Sequence, residues 1–150
     1  MGRESDSLNL ADVTAAFPTD EAFGAKDCLK GLNIETGHRG PVHPFRSEDL
    51  AKLSSVKIRL VDDKAQEKEI EKHDPGKAIR EGRSVDDAVK NGFLHGKAWF
   101  SEILFDKTHT HAVVFYGFHC GSLCGNGGTA ILEKQNGVWK VKSQCGIWMS

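Results

Sequence analysis

The chain has 150 residues, 39% of them hydrophobic and 27% charged, long enough to bury a core and balanced like an ordinary folded domain. With 20 basic against 21 acidic side chains the net charge is −1, so the basic excess of a nucleic-acid surface is missing and no nucleic-acid partner is expected. No window approaches the roughly 18 uninterrupted apolar residues of a membrane helix, so no membrane partner is expected either.

The opening MGRESDSLNLADV has no apolar signal core, and Asp6 stands where a myristoylation motif needs Ser or Thr. The sequence therefore reads as cytoplasmic, or as exported or periplasmic with its leader removed. Leu10, Val13 and Phe17 fall on one helical face. A second helix is predicted from Thr19 as its cap, with Ala22, Ala25, Leu29 and Leu32 as an apolar stripe, Cys28 beside them and Gly31 as the stop. GLNIETGHRGPVHPF is punctuated by Gly and Pro and predicts a loop, in which His38 and His43 could reach a pocket although no partner for them is evident.

Ser47 then caps a short helix carrying Leu50 and Leu53. In SVKIRLV, Val56, Ile58 and Leu60 alternate with Lys57 and Arg59, the period of a half-buried strand. DDKAQEKEIEKHD sets opposite charges three apart, Lys64 with Glu67 and Lys68 with Glu71, and predicts a helix with a solvated face. RSVDDAVKNGF predicts the clearest helix: Ser84 with Asp87 resembles a capping box, Val85, Ala88 and Val89 form the buried face, and Gly92 ends it.

After Phe93 the pattern turns to strands. KAWFSEILFD, HAVVFYGFH, TAILEK and VWKVKSQCGIWMS are joined by KTHT, by CGSLCGNGG and by QNG, a strong tight-hairpin signal because Asn and Gly tolerate positive φ. The expected architecture is one α+β domain over 1–150, with short helices in about 7–93 packed on a four- or five-stranded antiparallel meander in about 97–150. A cone-shaped sheet, cystatin-like or nuclear-transport-factor-like, is a further expectation by analogy of layout, and fold does not fix function.

The last third, with Cys120, Gly121, Cys124, Gly125, Gly137, Trp139, Val141, Trp148 and Ser150, resembles the carboxy-terminal segment of a loose group of uncharacterised, mostly bacterial proteins. Those proteins end in a strand, a Cys-Gly-x-x-Cys-Gly connection, a second strand, and Gly-x-Trp-x-Val leading to Trp-x-Ser. The resemblance implies no established activity and transfers no catalytic role.

Three chemistries compete for HCGSLCGNGG. Cys120 and Cys124 have zinc-ligand spacing, with Cys145, His119, His109 or His111 as further candidates. A closed site usually shows two paired clusters, however, and strand alternation points residues 119 and 120 to opposite sides. No metal is therefore assigned. A disulfide is the second option; in an oxidising compartment Cys120–Cys124 is favoured because Gly121 permits the sharp turn, with Cys124–Cys145 or buried free thiols as alternatives. A catalytic Cys124 with His119 as base lacks the helix amino-terminus that would activate the thiol, and the glycines fit neither a phosphate loop nor a nucleophile elbow. The loop reads as structural.

His109 and His111 share a face but sit at an expected turn. Trp99, Trp139 and Trp148, with Phe100, Phe105, Phe115, Tyr116 and Phe118, fill the interface between sheet and helices or, less simply, line a pocket on the concave side. Glu102, inside an apolar strand, is the one acid that such a pocket could hold with a raised pKa, although alternation favours a water-facing position. The expected function is non-catalytic binding of a protein or small ligand, with Glu102, Tyr116, His119 and Trp148 as candidate binding residues, no catalytic residue and no cofactor. The alternatives are a small hydrolase or isomerase using Glu102 or His119, and a module stabilised by zinc through Cys120 and Cys124.

Overall fold

A computed structural model describes residues 7–16, 29, 31–32, 34, 42–52, 57–122 and 124–150. It has an α+β fold built on one open, mixed, mostly antiparallel sheet of seven strands: β1 (Ser7–Ala11), β2 (Lys57–Val61), β3 (Lys97–Phe100), β4 (Leu104–Phe105), β5 (His111–His119), β6 (Gly125–Gln135) and β7 (Val138–Met149). The spatial order is β2-β1-β3-β5-β6-β7, with β4 paired to β5 beside β3. The helical segments are α1 (Ser47–Leu50), α2 (Asp63–Lys72), α3 (Pro75–Arg80) and α4 (Val85–His95).

The C-terminal strands follow the expected meander. His109 and Asn136 adopt positive φ at the two turns, the latter beside Gly137, as a tight Asn-Gly hairpin demands. Both β5–β6 and β6–β7 are antiparallel, and β6–β7 shifts register between Gly127 and Thr129 and between Ile131 and Leu132. On one face of β5, Val113 and Phe115 are fully buried, with Trp99 and Leu104 from the neighbouring strands and Leu29 and Ile34 packed against them.

The first half departs from the expectation. Residues 7–11 form a strand, not the helix that Leu10, Val13 and Phe17 suggested; Phe17 lies outside the described residues. β1 pairs in parallel with β2 from Ser7↔Lys57 to Ala11↔Val61, and with β3 at Leu10↔Ala98. The sheet thus reaches into the half expected to be helical. Parallel pairing requires long crossovers, and the helices α2, α3 and α4 form one of them. The helix predicted from Thr19 falls mostly outside the described residues, as do Cys28, His38, Leu53 and Val56.

Local signals explain the helices. The Asp62 side chain accepts a bond from the Ala65 amide at 2.8 Å to start α2, and Ser84 accepts from the Asp87 amide at 3.3 Å to start α4, as its capping pattern predicts. Pro75 follows Asp74 at the start of α3, where its missing N–H costs nothing. Gly92 does not stop α4. It lies inside the helix, where an added Cβ would come within 2.6 Å of Pro75, so glycine there permits α3 and α4 to touch. Val85 is exposed, while Ala88 is fully buried.

Candidate functional site

The strand expected over KAWFSEILFD is interrupted. Phe100 pairs with Tyr116 and Leu104 with Val113, so Ser101, Glu102 and Ile103 stand opposite only Val114 and Phe115. This is a β-bulge, a device that re-aims side chains. Ser101 is buried and holds it: its hydroxyl accepts from the Phe115 amide at 2.8 Å and donates to the Glu102 carbonyl at 2.9 Å. The chain after β1 runs alongside, with the Ala15 amide bonded to the Phe100 carbonyl and the Glu102 amide to the Ala15 carbonyl, both at 2.8 Å.

That arrangement corrects the expectation that Glu102 faces water. Its side chain is only 15% exposed because residues 14 and 43 cover it. The Thr14 hydroxyl donates to Glu102 Oε2 at 2.6 Å, and His43 Nδ1 contacts Glu102 Oε1. The His43 amide in turn donates to the Thr14 hydroxyl at 2.8 Å. Three residues distant in sequence thus close one small network. His43, whose side chain is 66% exposed, keeps its other ring nitrogen available outside it.

The carboxylate sits in the wall of a cavity of about 530 Å³. Phe45, Phe100, Ile103, Phe105, Val114 and Leu132 supply its apolar surface. Val114 lies on the face of β5 opposite Val113 and Phe115, so the cavity and the buried core occupy different sides of the sheet. Phe45 meets Phe100 edge-on, while Phe105 stacks on His109 and meets Trp139 edge-on. Phe100, Ile103 and Phe105 nevertheless remain exposed. A volume of this size is typical of small-molecule sites, in which a few polar groups orient a ligand on an apolar surface.

The other candidate residues lie elsewhere. Tyr116 donates its hydroxyl to Gln144 Oε1 at 2.6 Å. Trp148 covers Gly127, where an added Cβ would approach its ring to 2.8 Å and the Tyr116 carbonyl to 2.4 Å. His119 contacts Glu67 through Nε2 at 3.0 Å and lines a separate cavity of about 290 Å³ with Lys97 and Asp63, so it does not join Glu102. Thr14 borders both cavities.

Cys120 and Cys124 are joined as a disulfide, with Cα atoms 5.2 Å apart. Gly121 adopts φ +122° at the corner, and an added Cβ would meet Asp74 at 2.5 Å. Asp74 anchors the loop by accepting from the Ser122 amide at 3.0 Å and from its hydroxyl at 2.8 Å.

No family model, curated protein or solved structure matches the chain. No helix among the described residues is long and apolar enough to cross a membrane.

Proposed function

We propose that the chain is a non-catalytic binding domain that takes a small amphipathic molecule in the cavity beside Glu102. The ligand lays an apolar body against Phe100, Phe105 and Leu132 and presents a cation or hydrogen-bond donor to the carboxylate. One observation carries this reading: a largely covered carboxylate, held by Thr14 and His43, forms the acidic wall of an otherwise apolar cavity. A cone-shaped sheet belongs to the same reading, supported by the two register shifts that bend β6 against β7. So does the likeness of the last third to the bacterial group ending in Trp-x-Ser. The Cys120–Cys124 disulfide supports an oxidising compartment as its place of work.

Dansylcadaverine, an apolar ring system with an amine tail, tests the proposal against dansylglycine, which carries a carboxylate. The amine is expected to give saturable fluorescence enhancement and to bind more tightly than the acid. Glu102→Gln should remove the preference, and Leu132→Arg should abolish binding of both. No binding of the amine, or binding unchanged in Leu132→Arg, overturns the reading.

A second reading, a small hydrolase or isomerase, is favoured by the His43–Glu102 contact, because a carboxylate on one imidazole nitrogen orients the other as a base. It requires a turnover that falls about a hundredfold in both Glu102→Gln and His43→Gln. His119, engaged by Glu67 in the other cavity, has no part in it.

A further inference from the structure

We propose that Glu69, His73 and His95 form a binding site for a first-row divalent transition metal of the zinc type, separate from the cavity beside Glu102. Glu69 lies in the last turn of α2, His73 caps that helix, and His95 ends α4. The imidazoles are stacked with centroids 3.6 Å apart and planes inclined by 14°. Glu69 Oε2 stands 3.7 Å from His73 Nε2. One ligand atom from each residue lies within 4.8 Å of the other two. Bonds of about 2.0–2.1 Å in a tetrahedral shell separate ligand atoms by about 3.3 Å, so a tilt of the rings gathers the three around one ion. Two imidazoles and a carboxylate suit zinc, cobalt, nickel or copper better than magnesium or calcium, which prefer oxygen alone.

Asn91 touches both rings. His95 Nδ1 lies 2.8 Å from the Asn91 main-chain carbonyl. A carbonyl only accepts, so Nδ1 carries the hydrogen and the neutral ring keeps its lone pair on Nε2. His73 Nδ1 accepts from the Asn91 side-chain Nδ2 at 3.0 Å. Metal binding through His73 Nε2 requires this amide to rotate by half a turn, so that its oxygen accepts from Nδ1–H. Metal-binding imidazoles almost always have their second nitrogen tied in this way. Glu69 is arranged similarly: Lys72 holds its Oε1 at 3.2 Å, which leaves Oε2 on the His73 side. Three protein ligands leave a position for water or a small anion.

Zinc and cobalt chlorides titrated into the full chain, stripped of metal and kept oxidised, test the site. The expected result is one saturating equivalent with a dissociation constant below 100 μM, roughly, and a visible cobalt band that zinc displaces. His95→Gln should remove stoichiometric binding, and Asn91→Leu should weaken it about tenfold by releasing the His73 ring. Circular dichroism checks the fold of each variant. If a variant does not fold, imidazole proton resonances of the unaltered chain decide: zinc should shift those of His73 and His95 together. Absence of saturable binding, binding undiminished in folded His95→Gln, or shifts confined to other histidines such as His109 and His111 overturns the proposal.

Discussion

Asp106 closes the turn between β4 and β5 with its own side chain. Its Oδ1 accepts from the amides of Thr110 at 2.9 Å and His111 at 3.1 Å, and its Oδ2 accepts from the Thr108 hydroxyl at 3.2 Å. Desolvation would raise this carboxyl, but the bonds from His111, Thr110 and Thr108 outweigh it and lower the pKa from 3.8 to about 2. A depressed folded-state value means that the turn gains stability above pH 3.8 and loses it as pH falls toward 2. The Asp106 carboxyl carbon is expected to titrate by NMR with a midpoint of about 2; a midpoint near 3.8 contradicts the geometry. Residue types of this kind were readable from KTHT as a turn, whereas the setting of Glu102 was not. An acid in an apolar strand is visible in sequence, but the bulge, and the approach of Thr14 and His43, depend on contacts 88 and 59 residues apart. No local spacing encodes them.

At the scale of elements, α2 is pinned to β3 by Lys97, whose side chain is only 8% exposed and bonds to both Asp63 and Glu67. Burial opposes the charge, yet the hydrogen bonds to Asp63 and Glu67 and their attraction outweigh it and raise the Lys97 pKa. Stability from this tie is complete below the ordinary lysine value of 10.5 and declines as pH rises through the folded-state value. The partners are asymmetric, because both carboxylates are almost half exposed. Replacing both, Asp63→Asn with Glu67→Gln, strands a buried ammonium and should cost about 3 kcal/mol in urea unfolding. Lys97→Met leaves the carboxylates to water and should cost about 1 kcal/mol. Equal losses would show that the tie is not buried. The charged helix itself was legible from its i, i+3 pattern, but not that one side of it answers a lysine from the sheet. β1 was hidden for a related reason. Leu8 and Leu10 alternate about Asn9 as in a strand, yet Leu10, Val13 and Phe17 fit a helix equally well, and only pairing on both edges decides.

For the molecule as a whole, the cysteine loop was legible in shape, since Gly121 signalled a corner, and the redox state was not, because sequence does not name a compartment. Iodoacetamide is expected to label neither Cys120 nor Cys124 in the native chain and to label both after reduction and unfolding. Labelling of either without reductant would exclude the disulfide.

The placement of β1 between β2 and β3 bears on how the chain is made. On a ribosome, Ser7–Ala11 emerges well before Lys97–Phe100, the neighbour that must shield its second edge. Until then that edge offers unpaired amides and carbonyls to any passing strand. The interval before Lys97–Phe100 arrives is therefore a stage at which these five residues are open to mispairing.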